Sequence, residues 1–258
     1  MNNNYLGVYD SGVGGLTVVK AIKEALPEES IVYLADSKNM PYGNKSKEEI
    51  LSFSISNIDN LKKYDIKAVV IACNTSDSLA KDKLLELYDL PIIGVIKPAV
   101  KKAVYLSKNK TIGILATQAT INSKAYEKQI NKLDKDIKCI PVACPALVPL
   151  IEQGHFYDED MKKALKEYLE PIIKEKADTI ILGCTHYDVL SDTIRTINPN
   201  INIVSSSRCV VEDLKELLEE KNMKSERKEK TDTYLATGDT NFGEIASKII
   251  YNISIEKI

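Results

Sequence analysis

Two apolar runs on this chain each end in a cysteine and then turn abruptly polar. The first is Val69-Val70-Ile71-Ala72-Cys73-Asn74-Thr75; the second is Thr179-Ile180-Ile181-Leu182-Gly183-Cys184-Thr185-His186. A short β-branched run without alternation reads as a strand buried on both faces, and that pattern belongs to parallel sheets covered by helices. The cysteine then falls at the carboxyl end of its strand, the edge at which open α/β sheets bind ligands. Two such strands place one thiol at the mouth of each of two sheets.

The surrounding chain alternates strand and helix patterns in the order such sheets require. Tyr5–Tyr9 reads as a strand leading into Asp10-Ser11-Gly12-Val13-Gly14-Gly15, followed by a helix through Leu26 that Pro27 closes. A strand follows at Ile31–Ala35. Ser46 with Glu49 forms a capping box that opens a helix to about Tyr64. After the first cysteine strand, a helix is expected from about Asp77 to Leu87 and a strand over Ile92–Ile96. A second pass begins near residue 98. It has a strand at Thr111–Leu115, a helix at about Ser123–Leu133, a strand at Lys138–Val142, a helical turn between Cys144 and Gly154, and a helix over Asp158–Lys176. The second cysteine strand and its helix come next, with a strand at Ile201–Val204 and a helix at Val210–Glu220. A lysine-rich stretch to about Asp232 reads as an exposed loop. The pair Tyr234–Thr237 and about Phe242–Ile250 is expected to return to the first half. The halves resemble a repeat. Gly7 precedes Cys73 by 66 residues and Gly113 precedes Cys184 by 71, and each cysteine is followed by an Asp and a Leu: Asp77 and Leu79, then Asp188 and Leu190.

Composition narrows the function classes. A chain of 258 residues with 44% hydrophobic and 28% charged residues suits one large or two ordinary globular domains. A net charge of −2 leaves no footprint for nucleic acid or an anionic membrane. No apolar stretch reaches the roughly 20 residues of a membrane span. Met1-Asn2-Asn3-Asn4 does not open a secretory signal, so the cytoplasm is the expected compartment. The cysteines, at 73, 139, 144, 184 and 209, are odd in number and lack CxxC pairing, which argues against a disulfide framework and a structural zinc site.

A free thiol has a pKa of about 8.5, so an active cysteine needs help to act as a base. Taken singly, a strand-end cysteine is a small buried hydrophobe; two in matching frames favour chemistry. Two thiols across one cleft can take a proton from one face of a small molecule and return it to the other, which is the geometry of two-base racemisation. Both precede expected helix starts, whose N–H groups favour thiolate and bind carboxylates. His186 lies two residues beyond Cys184, and Asp10 ends the first strand beside the edge where Cys73 emerges. By default Asp10 and Ser11 are caps, Glu152 is a solvated carboxylate and Pro41-Tyr42-Gly43 is a turn; His155 has no supporting context. The glycine run after Asp10 matches neither the P-loop nor the dinucleotide fingerprint, and reads as a tight turn offering N–H groups to a small anion.

Gly7-Val8-Tyr9-Asp10-Ser11-Gly12-Val13-Gly14-Gly15-Leu16-Thr17, Pro41-Tyr42-Gly43, Cys73-Asn74-Thr75 and Gly183-Cys184-Thr185-His186-Tyr187 together resemble the glutamate racemases of the aspartate/glutamate racemase superfamily. Cys144-Pro145, Val148-Pro149-Leu150-Ile151-Glu152 and Thr237-Gly238-Asp239 extend the resemblance over essentially the whole chain. It implies an α/β fold of two pseudo-symmetric, doubly wound parallel-sheet domains with the active site in the cleft between them: residues 1–97 with 205–258, and 98–204. It implies a cofactor-independent isomerase without metal that interconverts L- and D-glutamate and supplies D-glutamate for peptidoglycan. Cys73 would act on the D-enantiomer with Asp10 assisting. Cys184 would act on the L-enantiomer with His186 assisting and Glu152 orienting the imidazole. Asp10, Ser11, Pro41, Tyr42, Gly43, Asn74, Thr75, Thr117, Thr185 and His186 would hold the substrate. The chain departs from the family pattern at Asn39-Met40, Ser76, Asp77, Lys97, Ala116, Gln118 and Asp188, which bear on substrate tuning, the domain interface and regulation. A racemase of aspartate or another amino acid, and a non-catalytic amino-acid-binding or inhibitory paralogue, are the alternatives. A homodimer is compatible with such a cleft enzyme.

Overall fold

The computed structural model describes residues 4–226, 231–240, 246, 249–250 and 253–258. Its strands form two sheets in which every pairing is parallel. β1 (Tyr5–Asp10), β2 (Ile31–Ala35), β3 (Ile66–Ile71) and β4 (Ile92–Gly94) start the first sheet. β5 (Thr111–Ala116), β6 (Lys138–Ala143), β7 (Thr179–Gly183) and β8 (Asn202–Ser205) make the second, and β9 (Thr233–Ala236) and β10 (Ile255–Lys257) return to the first. Among the described residues the orders are β10-β9-β2-β1-β3-β4 and β6-β5-β7-β8.

The repeat suspected from sequence is therefore a repeat of topology. Each half reads second, first, third, fourth strand, and the register agrees as well. Gly7 lies beside Val69, four residues before Cys73; Gly113 lies beside Ile180, four residues before Cys184. The unequal spacing from glycine to thiol is absorbed in the crossover, where it leaves the sheet edge unchanged.

Helices cover both faces of each sheet, as the buried strands β1, β2, β3, β5 and β7 demand. The first half contributes α1 (Leu16–Ala25), α2 (Lys47–Leu61), α3 (Asn74–Leu79) and α4 (Lys81–Leu87). α5 (Ile96–Leu106) crosses to the second half, which adds α6 (Gln118–Ser123), α7 (Ala125–Leu133), α8 (Leu147–Glu152), α9 (Glu159–Lys174) and α10 (Ser191–Ile197); α11 (Ser206–Glu220) leads back. Leu6, Val8 and Val70 pack on one side of the first sheet with Val19 of α1 and Leu214 of α11. Tyr9, Val32 and Ile71 face the other side with Ile58 of α2. In the second sheet Ile112, Ile114 and Ile181 meet Ala99 of α5 and Ile130 of α7.

Several boundaries differ from the sequence reading, each for a local reason. The strand expected over Ile92–Ile96 stops at Gly94, and Ile96 begins α5. Pro98 is the third residue of that helix, where its missing N–H has no intrahelical partner to lose. The helix expected from Asp77 begins at Asn74 and breaks at Ala80, because burial overrides the low helix propensity of Asn-Thr-Ser. Lys124, at φ +55°, splits the expected Ser123–Leu133 helix into α6 and α7. α11 starts at Ser206, with the Ser205 side chain accepting from the Arg208 N–H. The domain limit expected after residue 97 falls inside the first turn of α5, and that after 204 inside β8. β10 is too short to carry a pattern. The helix expected over about 242–250 lies mostly outside the described residues.

Candidate active site

Parallel strands bring their carboxyl ends to one edge, so β1, β3, β5 and β7 deliver Asp10, Cys73, Thr117 and Cys184 to a common region. These residues line a single cavity of about 380 Å³. Ser11, Pro41, Tyr42, Gly43, Asn74 and Thr75 line it from the first half, and Glu152, Thr185 and His186 from the second. Every residue named from the sequence as catalytic or substrate-holding thus reaches this cavity, whereas Gly12, Val13, Gly14 and Gly15, read as a turn offering N–H groups to an anion, do not line it. His155 does not; its ring lies 2.5 Å from Asp158.

Both thiols are buried, Cys73 at 5% and Cys184 at 7% exposure. Cys73 occupies the N-cap of α3, and Cys184 precedes the tight turn Thr185–Leu190. Cys73 Sγ stands 3.8 Å from Ser11 Oγ. Burial and the Asp10 carboxylate push the Cys73 thiol up to about 12, opposed by the Ser76 N–H. Cys184 Sγ lies 3.8 Å from His186 Nδ1, and His186 Nε2 lies 3.2 Å from Glu152 Oε1. The latter contact has ion-pair distance without hydrogen-bond alignment. Burial draws the His186 pKa down, but Cys184, Glu152 and Asp10 outweigh it and hold it at about 10. The imidazole therefore carries its proton at neutral pH, beside the Cys184 sulfur.

Asp10 joins the halves. Thr185, next to Cys184, donates from Oγ1 to Asp10 Oδ2 at 3.0 Å, while Oδ1 has no hydrogen-bond partner among the described residues. Burial raises the Asp10 pKa, and His186, Thr185 and the Ser11 N–H lower it. The glycine turn after Asp10 is tight because space there is short. A Cβ added at Gly14 would lie 2.5 Å from Thr185 Oγ1 and 2.6 Å from His186 Nδ1.

The remaining walls are neutral hydrogen-bonding groups. Thr75, Thr117 and Thr120 bond to one another at 3.0 to 3.3 Å and bridge α3 to α6. Asn74 Nδ2 donates to Ser206 Oγ at 3.1 Å, and Tyr126 OH donates to Asn74 Oδ1 at 2.6 Å. The Tyr42 hydroxyl donates to Asp36 and accepts from Asn57 Nδ2, so what Tyr42 offers a ligand is its ring and backbone. Gly43 lets this loop approach Thr117, whose Cβ would stand 3.2 Å from an added methyl. No Lys or Arg is among the described residues lining the cavity, and no metal-holding group of His, Cys, Asp and Glu occurs among the described residues. A small anion would be held by N–H groups, hydroxyls and amides, with His186 as the cation.

Sequence reasoning did not assign the wall formed by Met40, Cys144, Val148 and Pro149. A signal for part of it was present: Val148, Pro149 and Glu152 share one face of α8, while Leu147 and Ile151 are buried on another. Thr120, three residues after Thr117, carried the same kind of signal.

The family model described as Asp/Glu/hydantoin racemase matches residues 14–214. A glutamate racemase of a Sulfurihydrogenibium species is 41% identical over 254 residues, covering 98% of this chain and 96% of its own. Among solved structures, a Bacillus anthracis glutamate racemase superposes with a TM-score of 0.95 at 36% identity, covering 100% of this chain and 98% of its own. A Francisella tularensis glutamate racemase, solved in complex with D-glutamate, gives a TM-score of 0.93 at 32% identity, with 100% and 98% coverage.

Proposed function

The chain belongs to the Asp/Glu/hydantoin racemase family, and from that premise we propose that it interconverts L- and D-glutamate by proton transfer between two cysteines. The observation that carries this reading is a pair of buried thiols at equivalent strand ends, one from each sheet, lining one cavity. Glutamate is preferred because relatives of that name match over nearly the full chain.

In the L-to-D direction, the Cys184 thiolate removes the α-proton while the imidazolium of His186 offsets its charge. The Cys73 thiol, pushed up to about 12, delivers its proton to the opposite face. The turnover ends with Cys184 as thiol and Cys73 as thiolate, the starting state for D-glutamate. Hydroxyls and N–H groups around Ser11, Asn74, Thr75, Thr117 and Thr185 bind the carboxylates and stabilise the carbanion in a site shielded from water. Asp10 assists Cys73, and Glu152 orients His186. The D-glutamate would feed peptidoglycan synthesis in the cytoplasm. Residues 1–97 with 205–258 and residues 98–204 would be the two domains.

Circular dichroism of glutamate and aspartate enantiomers tests this reading. Enantiomers have equal free energy, so the equilibrium constant is one and kcat/KM must be the same from either side. Both glutamates are expected to decay to zero ellipticity with equal kcat/KM. Turnover of aspartate without glutamate would move the assignment to the aspartate reading, and no turnover of any amino acid would contradict catalysis.

A further inference from the structure

Tyr126 is fully buried at 1% exposure and touches the neighbours of both thiols. Its hydroxyl donates to Asn74 Oδ1 at 2.6 Å, and Asn74 directly follows Cys73. Its ring lies against Gly183, the residue before Cys184: a Cβ added there would stand 3.0 Å from Tyr126 Cε2. The ring is seated among Ile112, Ile114 and Ile181 in the core of the second sheet, so its position follows from that sheet. The Asn74 amide has a second partner, Ser206 Oγ at 3.1 Å, at the start of α11. One of its two amide hydrogens is thereby used, and the other is left for the cavity that Asn74 lines.

We propose that Tyr126 is a positioning residue: through its hydroxyl it holds the Asn74 amide for substrate. The inference rests on the two-thiol reading above. It reaches beyond the cavity, because Tyr126 stands behind its wall and acts through Asn74. Losing the hydroxyl strands the buried Asn74 oxygen, while a phenylalanine ring preserves the packing. Asn74 contacts a bound ground state as well as a transition state, so the loss falls on KM.

A double-mutant cycle with Tyr126→Phe and Asn74→Ala tests it, with kcat, KM and melting temperature measured for each protein. Tyr126→Phe is expected to lower kcat/KM about tenfold, chiefly through KM. Added to Asn74→Ala, it is expected to change kcat/KM by less than about twofold, since its route of action is already gone. Additive losses would overturn the inference, as would a lower melting temperature for Tyr126→Phe with unchanged kcat and KM. Turnover of glutamate by the wild type judges the functional reading separately. The cycle is run on whichever amino acid the wild type racemises.

Discussion

At the residue scale the site depends on where charge can be held. His186 is the cation of the cavity, and its pKa is raised from 6.5 to about 10 by Cys184, Glu152 and Asp10 against the cost of burial. A group whose folded pKa lies above its unfolded value stabilises the fold fully below the unfolded value and loses that contribution as pH climbs through the folded one. For His186 the window runs from 6.5 to about 10. Melting temperatures followed across this window are expected to fall more steeply in the wild type than in His186→Asn; parallel slopes would show that the imidazole is not held charged. These residue types were legible in the sequence: two thiols in matching frames, a histidine two positions after one, an aspartate at a strand end. Their partners were not. Nothing local places Glu152 at 3.2 Å from His186, 34 residues away within the second half, or Thr185 on Asp10 across the two halves.

Among elements, the strand-end turns do the positioning. The turn after β1 and the turn after β7 are pressed together at Gly14, which has no room for a side chain beside Thr185 and His186. Gly14→Ala is expected to cost about 1–3 kcal/mol of stability by overpacking and to displace the His186 turn. Its kcat/KM is expected to fall by about tenfold or more, consistent with the sensitivity of positioned groups to small shifts. Wild-type kinetics in a destabilised Gly14→Ala protein would separate the turn from the chemistry. Asp77 and Asp188, each four residues beyond its thiol, extend the same symmetry. Asp77 accepts from the Ile96 N–H at the start of α5, while burial raises the Asp188 pKa to about 6 against the hydroxyls of Ser205 and Ser207 at the start of α11. Both acids thus sit where the chain crosses between sheets. Strand identities were readable because continuous β-branched runs admit few alternatives. Helix starts were less so: Asn-Thr-Ser at the start of α3 is a poor helix signal that burial overrode, while the first-turn Pro98 of α5 and the Ser205 cap of α11 were local signals that went unread.

For the whole molecule, the two sheets repeat one strand order and meet at their carboxyl edges, so duplication of topology yields a cleft with one thiol on each wall. The sequence carried the alternation of elements and the matched glycine and cysteine frames. It also carried the return of the tail to the first half, where β9 pairs with β2; the short strand β10 beyond it left no pattern. The lysine-rich stretch read as an exposed loop is tied down where described: Ser225 is buried and donates to Glu29, and Glu29 lies 2.6 Å from the buried Lys67. A charge-rich composition hides such a pairing, because its partners lie far along the chain. The central claim concerns the two walls together, and α-proton exchange in D₂O tests it on both enantiomers with wild type, Cys73→Ser and Cys184→Ser. The wild type is expected to exchange the α-proton of both glutamates as it racemises them. Each single variant is expected to lose racemisation, with any residual exchange confined to L-glutamate for Cys73→Ser and to D-glutamate for Cys184→Ser. Full racemisation by either variant would contradict the two-thiol mechanism.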